Sequence, residues 1–411
     1  MVMETTRGNR LHIGFFGRCN AGKSTLINTL TEQPISLVSP IAGTTTDPVS
    51  KGMELLPLGP VMIVDTAGID DTSELGLLRV EKTKQVLETM NLAVYMLRTD
   101  AEPIPEDIEW LQQLESSHIP TLVVINEIPG CTGADFIKSH GEVQPYASQV
   151  VIADVSDSGN RMTLLEALSK LKPVDEDVQS LLGGYIEEKD VFVLVCPIDE
   201  SAPKGRIILP QVQMIREILD HHGMAMVCQV EELGATLAQL HQPPKLVITD
   251  SQAFEAVSAI VPEHIALTSF SILMARFKGK LKDLVAGVHA ISQLHPGSKV
   301  LISEGCTHRQ QCEDIGTVKI PRWLQAKGYT DLALEWTSGG HFPHDVSKYD
   351  VIIHCGGCML TRREVLRRID VASIQGVPIV NYGVLIASLH GILQRAIKPF
   401  EHELEQKGLL C

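Results

Sequence analysis

Two groups of residues have the types and spacing to do chemistry. The first is Gly17-Arg18-Cys19-Asn20-Ala21-Gly22-Lys23-Ser24, which fits the G-x-x-x-x-G-K-S/T phosphate loop at every fixed position. Glycines there let main-chain N–H groups approach a phosphate, and the start of a following helix adds partial positive charge. Lys23 would reach the β- and γ-phosphates and Ser24 would hold Mg2+, with Ala21, Gly22 and Thr25 lining the same turn. In Gly43-Thr44-Thr45-Thr46-Asp47 the hydroxyls of Thr44 and Thr45 could face the nucleotide, Thr45 completing the Mg2+ shell once a γ-phosphate is present. In Asp65-Thr66-Ala67-Gly68, Asp65 would hold Mg2+ through water, and the Gly68 N–H would meet the γ-phosphate. The order of these pieces after a phosphate loop is the signal, since short Thr or Gly loops are common on their own.

Guanine is normally read by an N-K-x-D run at the end of a strand. Here the run is Asn126-Glu127-Ile128-Pro129. Asn126 is in place, but proline offers no carboxylate to the guanine N1–H and N2–H2, so base reading is weakened or moved to another group. The last expected loop, Ala153-Asp154-Val155-Ser156, also matches poorly. GTP remains the expected nucleotide.

The second group is made of cysteines. Nine occur, an odd number that argues against a disulfide framework, and four of them (Cys306, Cys312, Cys355 and Cys358) fall within one stretch. Cys306-Thr307-His308 follows one strand-like run and His354-Cys355-Gly356-Gly357-Cys358 follows another. Carboxyl ends of parallel strands open on one crevice, so three thiols and two imidazoles are expected to converge. Zinc in a Cys2His2 or Cys3His site fits this ligand set. So does an iron–sulfur cluster held by three thiolates with one labile position. His308 and His354 are the candidates for that position; His341 and His344 are weaker ones, and Cys312 is a spare thiolate.

The elements that must position these groups are legible as strand-like runs at Leu11–Phe16, Val61–Val64, Leu92–Leu97, Thr121–Ile125 and Gln149–Ala153, with helical stretches between several of them. That alternation predicts a mostly parallel sheet covered on both faces. A linker runs from Leu171 to Gly184. Beyond it, residues 185–265 and 266–411 read as two smaller α/β domains after a nucleotide-binding domain at 1–172. The second contains a strand from Asp190 to Cys196 and an amphipathic helix opened by Pro210. The third contains a long helical stretch from Ser271 to Leu294 and strands at Lys299–Ser303, Leu332–Trp336, Tyr349–Ile353 and Pro378–Val380.

With 411 residues, two to four domains are expected, and 44% apolar residues can fill several cores. A net charge of −15 without a Lys/Arg block disfavours a nucleic-acid partner. The polar stretch Met1–Arg10 has no apolar core of a signal peptide, and the apolar runs are too short to span a membrane, so a cytoplasmic protein is expected.

The phosphate loop with Asn20, the Gly43–Asp47 run and Asp65–Gly68 resemble those of the Era/TrmE group of translation-factor-related GTPases. In that group the loop asparagine holds K+ near the transferring phosphate, which would make Asn20 and Lys23 the catalytic pair. Ile69 stands where Ras-like enzymes carry a water-orienting Gln. The whole chain is similar to the [FeFe]-hydrogenase maturation GTPase family: a phosphate-loop GTPase, then C-x-H, a long spacer and H-C-x-x-C. This resemblance implies a P-loop GTPase domain followed by two smaller α/β domains, with a [4Fe-4S] cluster on Cys306, Cys355 and Cys358 and a homodimer formed through the middle domain. It further implies a carrier of a transient diiron subcluster precursor, working with radical-SAM hydrogenase maturases and the [FeFe]-hydrogenase apoprotein. A zinc-stabilised regulatory GTPase and an Era/TrmE-like RNA-associated GTPase are the rival readings; the negative charge argues against the latter.

Asn20 and the missing Gln make a prediction. GTP hydrolysis should run faster in potassium than in sodium at equal ionic strength, and Asn20→Ala should blunt the difference. Equal rates in the two salts would remove the potassium assignment.

Overall fold

A computed structural model describes residues 7–32, 49–66, 68–70, 83–84, 87, 89–171, 180–198, 207–305, 314–339 and 341–405. The chain divides into two units, Met1–Val178 and Gln179–Cys411.

In the first unit the strands are β1 (Leu11–Gly17), β2 (Val49–Leu55), β3 (Gly59–Asp65), β4 (Leu92–Arg98), β5 (Thr121–Asn126) and β6 (Gln149–Ala153). They form a six-stranded sheet in the order β2-β3-β1-β4-β5-β6. All pairings are parallel except β2 with β3. Alternation along each strand sends side chains to opposite faces, and each face has its own core. Ile13, Phe15, Met96 and Val124 pack with Leu26, Ile27 and Leu165 on one side. Phe16, Tyr95, Leu97 and Ile125 pack with Trp110, Leu111 and Phe136 on the other. Burial on both faces explains why β1, β4 and β5 read as unbroken apolar runs. The antiparallel β2 is not apparent in the sequence: Val-Ser-Lys-Gly-Met-Glu-Leu alternates weakly, and its place is set by pairing with β3 along the sheet edge.

The second unit carries two four-stranded sheets. One has the order β10-β9-β7-β8, from β7 (Val191–Val195), β8 (Met224–Cys228), β9 (Leu246–Thr249) and β10 (Leu267–Ser269). The other has the order β12-β11-β13-β14, from β11 (Lys299–Ser303), β12 (Ala333–Thr337), β13 (Val351–His354) and β14 (Ile379–Asn381). Every pairing in both is parallel. One continuous apolar core runs through this unit and contains Phe192 and Ile248 of one sheet and Leu301 and Ile353 of the other. The strands of the thiol region are in register, with Ser303 opposite His354 and His354 opposite Asn381, so their carboxyl ends lie at one edge.

The helical stretch expected from Ser271 to Leu294 is three short helices, Phe270–Lys278, Leu281–Ala286 and Val288–Ile291. Gly279 and Gly287 sit at the breaks. A Cβ on Gly287 would lie 2.0 Å from the Ile379 carbonyl oxygen, so this glycine lets the helical segment press against the β14 backbone. Tertiary packing here overrides helical periodicity.

Gly287→Ala should therefore destabilise the protein by about 1–3 kcal/mol, as overpacking does. Gly184→Ala, which meets open space, should stay within about 0.5 kcal/mol of the parent. Urea unfolding of both variants checks this, and equal stabilities would sink the close-approach argument.

Candidate functional site

The phosphate loop begins where β1 ends. Gly17 and Gly22 take φ values of 132° and 103°, which an L side chain rarely adopts. Gly17 also lies against β4, where a Cβ would meet the Met96 carbonyl oxygen at 2.6 Å. The helix Lys23–Thr31 starts at once, leaving Ser24 and Thr25 exposed at its first turn. Lys23 is buried, and its Nζ donates to the carbonyls of Gly17 and Arg18, both at 2.8 Å. Burial lowers its pKa, while Asp65, Cys19 and Asp70 act the other way. Asp65 ends β3, and its carboxyl is pushed up by burial and pulled back by Lys23. Its Oδ1 is buried without a hydrogen-bond partner.

Residues the sequence reading passed over hold this loop. Asp70 Oδ1 accepts from the Cys19 N–H at 2.7 Å, and Gly68 lies so close that a Cβ would strike the Cys19 sulfur. Burial opposes ionisation of Asp70, but hydrogen bonds from the main chain and the charge of Lys23 leave its pKa lowered. Arg98 donates to the Asn20 carbonyl at 2.9 Å and chelates Asp100, and Asn20 itself stands at φ 59° with its side chain exposed. Asn126, buried at the end of β5, joins two loops. Its Nδ2 donates to the Ala21 carbonyl at 3.3 Å, and its Oδ1 accepts from the Val155 N–H at 3.2 Å. Glu127 is turned toward the helix Gly133–Ser139, where it accepts from the Gly133 N–H at 2.9 Å. Asp154 accepts from the N–H and hydroxyl of Ser156. Thr44 and Thr45 lie outside the described residues.

In the second unit, Cys355 follows β13 directly and its N–H donates to the Ser303 carbonyl of β11 at 2.9 Å. Its sulfur accepts from the N–H groups of Gly305, at 3.0 Å, and Gly357, at 3.3 Å. Burial pushes the Cys355 thiol up to about 11 against those two donors, and burial also raises Cys358 against the charge of Lys278. Gly357 turns the loop at φ 63°, where a Cβ would meet Val365 at 2.9 Å. Cys306 and His308 lie outside the described residues, and among the described residues no three Cys, His, Asp or Glu side chains converge on a metal position.

His354 is buried, with its Nδ1 2.7 Å from the Cys355 carbonyl oxygen and its Nε2 3.2 Å from the Arg368 guanidinium. The proton therefore sits on Nδ1, and Nε2 accepts. Burial and then Arg368 push its pKa down to about 4, so the ring is neutral. Arg368 is 0% exposed and donates to Glu364 at 2.7 Å, to Ser303 at 3.3 Å and to the Gly339 carbonyl at 2.8 Å. It lies 5.2 Å from the centre of the Phe342 ring. The sequence signal for it was only an arginine on the inner face of the helix Arg362–Ile374, which Thr361 caps. Lys278, at the end of the helix Phe270–Lys278, was also missed; its amine reaches three carbonyls of the thiol loop.

Comparison with known proteins divides the chain in three. Residues 12–127 match the family model of the 50S ribosome-binding GTPase, 181–279 that of the hydrogen maturase F dimerization domain, and 282–399 that of the hydrogen maturase F tetramerization domain. The chain is similar to GTPase Era of Thermoanaerobacter sp. (strain X514), 28% identical over 218 residues, covering 50% of this chain and 70% of Era. It is also similar to the tRNA modification GTPase MnmE of Aquifex aeolicus (strain VF5), 32% identical over 222 residues, covering 51% of this chain but only 46% of MnmE. A crystal structure of an Aquifex aeolicus Era variant bound to GDP and aluminium fluoride aligns over 56% of this chain and 68% of that one, at 24% identity and a TM-score of 0.34. The first unit is a GTPase domain with the P-loop fold. No helix among the described residues is long and apolar enough to cross a membrane.

The buried Arg368–Glu364 pair yields a test. Glu364→Met should cost about 3–5 kcal/mol, because Arg368 is left buried without an opposite charge, and the Glu364→Met/Arg368→Met double variant should recover part of that loss. Glu364 has a lowered pKa: burial raises it, but Arg367 and Arg368 win. Its contribution is therefore present above the ordinary carboxylate pKa and lost as pH falls through the lowered folded value. Additive losses in the double variant, measured by urea unfolding, would show the pair is uncoupled.

Proposed function

Because the chain belongs to the hydrogen maturase F family and carries a GTPase domain, we propose a GTP hydrolase whose second unit is an iron–sulfur scaffold in [FeFe]-hydrogenase maturation. It holds the diiron subcluster precursor and delivers it to the hydrogenase apoprotein, in exchange with radical-SAM maturases in the cytoplasm. The observation that carries the scaffold reading is the Cys355–Cys358 loop, whose first sulfur is met by two main-chain N–H donors at the ends of adjacent parallel strands.

For the nucleotide, the residues fit Mg2+ and phosphate. The partnerless Oδ1 of Asp65 beside Lys23 suits a water of a hydrated Mg2+, with Ser24 and Thr45 completing the set. Lys23 would exchange the carbonyls of Gly17 and Arg18 for β- and γ-phosphate oxygens. Gly17, Ala21, Gly22, Thr25, Thr44 and Gly68 would surround the phosphates, Asn126 would sit beside the base, and Asn20 would face K+. Positioning and charge neutralisation then drive GTP + H2O to GDP and phosphate.

The thiol site also fits its implied group. N–H donors aimed at Cys355 favour the thiolate, and soft thiolates suit iron and sulfide. Cys306, Cys355 and Cys358 would hold a [4Fe-4S] cluster, leaving one iron open to a bridging ligand of a second metal unit. His308 and His354 are the proposed occupants of that fourth position. His354 would first have to surrender Arg368 or the Cys355 carbonyl, a cost that favours His308.

The family's dimerization and tetramerization domains make this a self-associating protein. A homodimer through residues 185–265 is supported by β8, an edge strand with Met224 and Val227 each 50% exposed.

Anaerobic purification with iron and sulfide counts and an EPR spectrum tests the scaffold. Wild-type protein should carry both elements in equal amounts, and Cys306→Ser, Cys355→Ser and Cys358→Ser should each lose most of them, since a hydroxyl is a poor substitute for a thiolate. Zinc in place of iron, or full iron content in the three variants, would overturn the assignment.

A further inference from the structure

Lys278 is 1% exposed, yet it sits among main-chain groups rather than beside a carboxylate. Its Nζ donates to the carbonyls of Gly357 at 3.2 Å, Cys358 at 3.0 Å and Leu360 at 2.6 Å. Among the described residues no Asp or Glu pairs with it. The three carbonyls it grips belong to the loop that carries Cys355 and Cys358, so its charge is held beside that loop. Carbonyl dipoles orient an ammonium but supply no net negative charge, and a buried cation without a counter-charge is strongly disfavoured.

We propose that Lys278 is the built-in counter-ion of the Cys355–Cys358 site, a positioning residue that fixes the thiol loop and stabilises the negative charge its thiolates and their metal cluster bring. The arrangement explains why a lysine is buried at the last position of the helix Phe270–Lys278, among the buried apolar residues Phe270, Ile272, Leu273, Met274 and Ala275. Leucine or methionine would fill the space as well. What the amine adds is a grip on three carbonyls of the thiol loop and one positive charge beside that loop. Lys278 lies in the segment matched by the dimerization domain and the thiol loop in that matched by the tetramerization domain, so the contact joins the two. A cluster held beside a fixed cation is easier to reduce, because the added electron meets a compensating charge in a low-dielectric setting.

The inference rests on the iron–sulfur reading, and the test separates the two. Full-length wild type, Lys278→Met and Lys278→Arg are reconstituted anaerobically with iron and sulfide, and three quantities are read: iron affinity, the midpoint potential of the bound cluster, and the rise in melting temperature on loading. Lys278→Met should weaken iron affinity by about 10–100-fold, as loss of an outer-shell partner does. It should also shift the potential to more negative values and shrink the melting-temperature gain on loading, whereas Lys278→Arg should restore the potential. A residue that merely packed the loop would lower the melting temperatures of the metal-free and loaded forms alike and leave the potential in place. Should the methionine variant fail to fold, Lys278→Gln, which keeps donors and drops the charge, carries the same comparison. A neutral variant with wild-type iron affinity and potential would overturn the role of Lys278 alone. Failure of the wild type to bind iron would overturn the scaffold reading and the counter-ion with it.

Discussion

Moving a cation out of water costs several kcal/mol even after relaxation, and a fold tolerates it only where hydrogen bonds and opposite charge replace the lost hydration. Among the described residues, three buried cations stand under that constraint. Arg368 is answered within the protein by Glu364 and is complete as it stands. Lys23 and Lys278 are held by main-chain carbonyls instead, with Asp65 and Asp70 acting on Lys23 only from nearby. Dipoles satisfy their donors but leave the positive charge to be met by something that binds. The partner proposed at Lys23 is the phosphate chain of a nucleotide with its metal, and the one proposed at Lys278 is the thiolate group with what the thiolates would hold.

Both sites stand at the carboxyl ends of parallel strands, where open α/β sheets collect ligands. Gly17, Asp65 and Asn126 each close or follow a strand of one sheet, and register places them at a common edge. Ser303, His354 and Asn381 do the same in another. Asn126 and Arg368 play comparable parts: each is buried and ties two chain segments that are distant in sequence, so that the loops between them are held without a covalent link. Fixed loops matter for both proposed chemistries, since phosphate transfer and metal ligation depend on where donors already point.

The polar groups around the thiols also divide labour. His354, conspicuous beside Cys355 in the sequence, spends its ring nitrogens on a carbonyl and on Arg368. In that arrangement it fixes the end of β13. A histidine next to a cysteine in a metal-like motif is thus also a structural strut, and the distinction depends on residues far along the chain.

The sequence by itself determined the chemistry that is local. The phosphate loop from Gly17 to Ser24, the strands that read as unbroken apolar runs, and the pairing of Cys355 with Cys358 across two glycines all follow from residue type at short spacing, because main-chain geometry and burial act over a few residues. The family resemblance likewise rested on such local runs. Tertiary structure alone decided the rest. The strand β2, weak in pattern, exists because β3 offers it an edge. The stretch from Ser271 to Leu294 breaks at Gly287 because the β14 backbone needs the space a side chain would take. Lys278 lies about 80 positions from the loop it grips, and Arg368 reaches Ser303 across 65. A lysine or arginine on a helix carries no mark of burial or partner in its own neighbourhood. Those are set only when the sheet and helices close around it, and a charge buried by that closure must find its answer wherever the fold puts one.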